Sequence, residues 1–175
     1  MVAYVLIIAV IVARVLLRPL AFAPVLPALL YFGARAPRKT FWIPVALLTA
    51  ADLYLTLAVY GAGLKADQLI TSAWYLAVML LGSAALKGGA KPLRVLGTAL
   101  AGTISFFIVS NFGVWAVWPT YPKTVAGLVA CYVAAIPFFR NQFASDLFFT
   151  AVIFLLPAAI KAMRPAEEND HIQAA

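Results

Sequence analysis

The chain has 175 residues, of which 65% are hydrophobic and 11% charged, with a net charge of +7 and a mean hydropathy of +1.00. A soluble domain is roughly 45–50% apolar and about 25% charged, so disorder and a soluble globular fold are both excluded. The surplus of Lys and Arg lies in short loops between apolar runs, not along a stripe interleaved with aromatics. That excludes nucleic acid as a partner and assigns the charge to membrane topology and contact with the lipid bilayer. The apolar segments lack the alternation of barrel strands, so the spans are helical. At about 20 residues per crossing, the expectation is one transmembrane domain over residues 1–163 and a polar cytoplasmic tail over 164–175.

The first apolar run, Val2 to Leu17, ends at Arg18-Pro19. Ala21-Phe22-Ala23 has the small-x-small pattern of a signal-peptide cleavage site. No positive charge precedes the run, however, and Arg14 and Arg18 interrupt it, so a retained helix is expected. A short second segment, Pro24 to Ala34, leads to the basic loop Arg35–Lys39. The third segment runs from Phe41 to Tyr60 and stops at Gly61-Ala62-Gly63. The fourth runs from Gln68 to Leu86, and Lys87-Gly88-Gly89-Ala90-Lys91-Pro92 is a turn. The fifth covers Val95 to Val109 or a little beyond. Residues 110–123 are then rich in Trp, Tyr, Pro and Asn. The apolar run Thr124–Ile136, closed by Pro137, is too short for a span and is expected as a re-entrant or interfacial helix. The last span covers Phe143 to Ile160. The fold class is therefore an all-α membrane protein with six transmembrane helices.

Six crossings place Arg35, Arg38, Lys39, Lys87, Lys91, Arg94, Lys161 and Arg164 on one side. Arg14, Arg18, Lys65, Lys123 and Arg140 fall on the other. The positive-inside rule makes the richer side cytoplasmic, with both termini there. Ala51-Asp52-Leu53-Tyr54-Leu55-Thr56 faintly echoes Ser145-Asp146-Leu147-Phe148-Phe149-Thr150. Each stretch follows a proline, Pro44 or Pro137, and the two helices run in opposite directions. In so apolar a chain, coincidence accounts for that as well as an inverted repeat does.

Conventional catalysis finds little support. Cys131 is the only cysteine and His171 the only histidine, in the tail, so no zinc or Cys–His constellation exists. No phosphate-binding Walker loop is present. The expectation is that the chain is not an enzyme.

Asp52, alone in the middle of an apolar helix, should face the bundle interior or a wet cavity, because a charge at a helix centre costs about 2.5–3.5 kcal/mol on insertion scales. It is either a ligand contact or proton site, or a structural tie to Arg14, Thr49 or Thr56. Asp146 is expected near the start of the last span, close to Arg140 and Asn141. It is either a helix N-terminal charge or a pocket residue. Arg14 and Arg18 suit snorkelling to an interface. The stretch from Ser110 to Thr124 is the densest polar and aromatic cluster. In it Asn111 can hydrogen-bond, Trp115, Trp118 and Tyr121 can stack on a planar ligand, and Lys123, with Arg140, can hold an anion. A headgroup-level aromatic belt is the competing account.

Ser110-Asn111-Phe112-Gly113-Val114-Trp115, Tyr121 to Leu128, Cys131 to Asn141 and Ser145 to Thr150 together resemble an uncharacterised family of small bacterial integral membrane proteins. That family in turn resembles the substrate-binding S components of energy-coupling-factor transporters. The resemblance implies a six-helix inner-membrane subunit that captures a vitamin or similar nutrient from outside, working with a transmembrane coupling protein and two ATPases. It implies a pocket built from external loops and helix ends, here a mouth of Asn111, Trp115, Trp118, Tyr121, Lys123, Arg140, Asn141 and Asp146 with Asp52 deeper. Ala9 and Ala13 are the nearest match to the small residues by which such first helices meet the coupling protein, with Arg14 beside them as a departure. Two rival functions stand beside transport of this kind: an accessory subunit of a larger membrane complex with no ligand, and a proton-coupled carrier using Asp52 and Asp146.

Overall fold

The computed structural model describes residues 2–16, 23–61, 63–88 and 91–155. Among these, every regular element is helical. The helices are α1 (Val2–Leu16), α2 (Val25–Arg35), α3 (Trp42–Tyr54), α4 (Asp67–Ala85), α5 (Pro92–Val117) and α6 (Val125–Thr150). A 3₁₀ turn at Arg38–Thr40 precedes α3, and π-helical turns continue α3 through Leu55–Val59 and α6 through Ala151–Leu155. Arg38–Val59, Asp67–Ala85 and Pro92–Val117 are each long and apolar enough to cross a membrane. The tail 164–175, with His171, lies outside the described residues, as do Arg18, Lys161 and Arg164.

The helix ends follow local chemistry. Pro92 opens α5 at a position where no N–H is needed. Gly88 takes φ +82° in the turn before it, a region that favours glycine. Thr124 caps α6, its Oγ1 accepting from the Gly127 N–H at 3.1 Å. Thr124→Ala should cost about 1 kcal/mol, read as an earlier midpoint in detergent unfolding, with the fold retained.

The run 124–136 is not a separate re-entrant or interfacial helix. It is the first half of α6, which continues through Pro137. Pro137 sits on the exposed side of the helix. Packing along α5 carries the helix past it. Phe107 meets Tyr132 and Phe139 at ring-centroid distances of 5.5 and 4.5 Å, and the Tyr132 hydroxyl donates to the Ile108 carbonyl at 2.8 Å. Asp146 is consequently not near the start of a span but well along α6. α5 likewise runs on to Val117 instead of ending near Val109. Ser110 and Asn111 bond back to the Phe106 and Phe107 carbonyls, at 2.6 and 2.8 Å, so their polarity does not end the helix.

The core centres on α2, which is apolar all round and therefore buried. Leu26, Ala28, Leu29, Leu30 and Phe32 are almost wholly enclosed. Phe32 meets Tyr4 of α1 edge-on at 5.1 Å. α2 and α4 cross at two glycines, Gly33 against the Met79 backbone and Gly82 against the Leu30 backbone. With 11 residues rising about 1.5 Å each, α2 covers only about half of a bilayer's hydrocarbon thickness. The bundle is left partly hollow beyond its first residues.

The two ends of the bundle differ in charge. Arg35, Arg38, Lys39, Lys87, Lys91 and Arg94 gather at one end, where Arg38 Nε donates to Ser83 Oγ at 3.3 Å. Lys65, Asp67 and Lys123 lie at the other, where α3 ends, α4 begins and α5 turns into α6. α3 runs toward this second end and α6 away from it, so the two echoed segments do run in opposite directions.

Candidate functional site

The antiparallel α3–α4 hairpin brings together polar residues at helical spacing. Thr49, Asp52 and Thr56 on α3 and its π turn face Gln68, Ser72 and Tyr75 on α4. Thr49 and Ser72 hydroxyls are 2.8 Å apart. The Tyr75 hydroxyl donates to Asp52 Oδ2 at 2.6 Å, and Gln68 Nε2 approaches the same oxygen at 3.4 Å. From the last turn of α1, Arg14 closes the ring. Its Nη2 lies 2.8 Å from Asp52 Oδ1, and Nη1 donates to the Tyr75 hydroxyl at 2.7 Å. Asp52 is 6% exposed and Tyr75 1%. A buried ion pair holds only when its remaining donors and acceptors are satisfied. Here each charged group meets the other and both meet the same phenol, so the cluster is neutral as a whole.

This ring forms the polar wall of a cavity of about 380 Å³, within the range of small-molecule sites. Val25 at the start of α2 and Leu55, Tyr60, Trp74 and Phe106 supply the apolar wall, while Thr56, Thr71 and Gln142 add polar groups. Trp74 and Phe106 have centroids 4.6 Å apart with planes inclined by 54°, and Trp74 is fixed by its indole N–H, which donates to Ser105 Oγ at 3.0 Å.

Of the nine site residues expected from sequence, Asp52 lines the cavity. Asp146 stands behind it: Thr103 donates to its Oδ2 at 2.9 Å, one helical turn beyond Gln142, which lines the cavity. Trp115, Trp118, Tyr121 and Lys123 are gathered at the turn between α5 and α6. There Lys123 Nζ bonds the Trp115 carbonyl and, at 2.7 Å, the Trp118 carbonyl. The Trp115 indole donates to the Pro122 carbonyl at 2.9 Å. The Trp118 indole donates to Asp67 Oδ2 at 2.8 Å, with Lys65 Nζ 4.0 Å from its ring centre. Asn111 is spent on its own helix. Arg140 and Asn141 are exposed on the outer face of α6, away from this turn, so no shared rim is formed. The long α6 displaces them by more than three helical turns from Thr124.

Arg14 is not a snorkelling residue; it is the cation of the buried ring, one of the structural ties open to Asp52. Tyr75, Gln68 and Trp74 carry no charge that marks them in the sequence. The signal available was spacing: polar positions recur three or four residues apart on both arms of the hairpin. Among the described residues no group of three or more His, Cys, Asp or Glu side chains is placed to hold a metal.

A model of the DUF6580 family, a family of unknown function, matches residues 1–167. No curated protein and no solved structure matches the chain.

Proposed function

The chain belongs to the DUF6580 family, and from its cavity we propose that it is a multi-pass inner-membrane protein that binds a small nutrient for uptake, in the manner of the S components it resembles. The carrying observation is the cavity between α1, α3, α4 and α5, walled by the Arg14–Asp52–Tyr75 ring on one side and by Trp74 and Phe106 on the other. In this reading the basic end is cytoplasmic by the positive-inside rule. The chain then begins and ends on that side, and ligand enters from the opposite, external end. The site is the interior cavity; the aromatic turn above it is scaffold. The protein binds and does not catalyse, and transport follows from a coupling protein with ATPases.

The neutral ring argues for a ligand without net charge. A charged one would have to displace Arg14 or Asp52 from its partner, at the cost of an uncompensated buried charge. A vitamin-like heterocycle with amide or hydroxyl edges fits both walls. The test is thermal unfolding of the purified protein in detergent across a panel of water-soluble vitamins. At a hundredfold excess over Kd, one compound should add about 2.7 kcal/mol to the stability. Trp74→Ala should abolish that increment while leaving a folded protein. A panel without any response, or a response untouched by Trp74→Ala, overturns the assignment.

A further inference from the structure

We propose that the outer face of α6 centred on Arg140 is a docking surface for a transmembrane helix of another protein that presents a carboxylate at the same depth. It is independent of the cavity reading, since it concerns the opposite side of α6.

Depth comes first. Phe139, next to Arg140, packs against Phe107 with the rings tilted by 44°, and Asp146 accepts from Thr103. Both partners lie near the middle of α5, itself long and apolar enough to span a membrane. With α5 placed across the bilayer, Arg140 of α6, a helix not itself among the three apolar enough to span, falls level with its centre, roughly 15 Å of hydrocarbon from either surface. A stem of three methylenes cannot carry a guanidinium that far, so snorkelling fails here.

The side chain is exposed and has no hydrogen bond or ion pair among the described residues. One turn earlier, Pro137 has no N–H to give the Val133 carbonyl. A cation and a carbonyl short of its donor, both at mid-depth on a lipid-facing side, must be met by protein or water.

The surface around them suits a helix. Ala126, Ala130, Val133, Pro137, Arg140 and Ala144 are all exposed and recur at alternating spacings of four and three, which is one seam of α6. Small residues on such a seam let a second helix approach closely.

Charge complementarity selects the occupant. A second copy of this chain offers no free carboxylate at this depth among the described residues. Asp52 is held by Arg14, Asp67 by the Trp118 indole, and Asp146 is 1% exposed on the other side of α6. The partner is therefore a different membrane protein with an Asp or Glu within an apolar helix.

The experiment uses the full chain in its native membrane with a photoreactive residue at position 144. A second position, 104, exposed on α5, is the control. The expected result is one cross-linked heteromer from position 144 and none from 104, with the joined peptide of the partner containing an acidic residue inside an apolar run. Arg140→Leu should reduce the product at least tenfold, and Arg140→Lys should retain it. Ala130→Trp, which keeps the charge and blocks the seam, should reduce it as Arg140→Leu does. Cross-links only to lipid, only to a second copy, or to a helix without an acidic residue overturn the proposal, as does a product unchanged by Arg140→Leu.

Discussion

Arg14→Leu should destabilise the protein, by somewhat less than the about 3–5 kcal/mol seen when one member of a fully buried ion pair is removed, because Asp52 is 6% exposed but Arg14 is 28% exposed at the cavity. Asp52 would keep the Tyr75 and Gln68 donors but lose the only cation within reach among the described residues. The same principle predicts a rescue. Replacing the whole ring, Arg14→Leu with Asp52→Leu and Tyr75→Phe, removes both charges and the phenol between them, leaving only the long Gln68 contact unmet, and stability should return close to the wild-type level. The two outcomes are measured by reversible unfolding in mixed detergent micelles. The rescued variant then separates folding from function, because a cavity without the Arg14–Asp52–Tyr75 ring should give no vitamin-dependent stabilisation although the bundle is intact. If Arg14→Leu is as stable as the wild type, the ring is not a compensated pair and the neutral-ligand argument falls with it.

That result would also bear on the rival carrier reading. Asp52 is engaged with a cation, so its exchange with a passing proton would require Arg14 to move. Asp146 is different: its partner is the neutral hydroxyl of Thr103, and Gln142, one turn away on α6, reaches the cavity. Asp146→Asn keeps the shape and the neutral Thr103 partner. Under the S-component reading, it should leave ligand-dependent stabilisation within a factor of a few. Under the carrier reading, it should abolish the pH dependence of uptake in proteoliposomes.

Much of the helix order was legible because this chain punctuates its apolar runs with residues that are costly in hydrocarbon. Arg35 to Lys39 and the Lys87–Pro92 turn mark ends that the structure keeps to within a residue or two, and α1 to α4 follow from them. The failure at α5 and α6 has one physical cause. Polarity at Ser110, Asn111, Arg140 and Asn141, and the proline at 137, look like breaks when judged by the lipid alone. Ser110 and Asn111 satisfy themselves on their own helix. Pro137 and Arg140 are exposed on the outer face of α6, where packing among the described residues does not bury them. The site was half legible for a related reason. A lone carboxylate such as Asp52 announces itself by its cost, and Arg14 was among the ties open to it. Tyr75, Gln68 and Trp74 acquire meaning only when the register of α3 against α4 is known, and nothing local to those residues fixes that register.

The largest effect of a small substitution should come from the crossing of α2 and α4. A Cβ at Gly33 would meet the Met79 carbonyl, and one at Gly82 would meet the Leu30 carbonyl. In both cases the obstacle is backbone, which cannot rotate aside as a side chain can, so the helices themselves must separate. Overpacking in a well-filled core costs about 1–3 kcal/mol when side chains can adjust. Gly33→Ala and Gly82→Ala should sit at or above the top of that range, and Gly82→Leu should prevent stable assembly. Gly97 is the control: nothing lies within 4 Å of its would-be Cβ, and within helix α5 Gly97→Ala should gain up to about 1 kcal/mol. The consequence reaches the site, because Val25 at the start of α2 lines the cavity and the helix moves as a rigid unit. Gly33→Ala should therefore weaken vitamin-dependent stabilisation as well as the fold, although no atom of Gly33 lines the cavity. Equal stability of Gly33→Ala and Gly97→Ala would mean that α2 does not press on α4 as closely as the two glycines require.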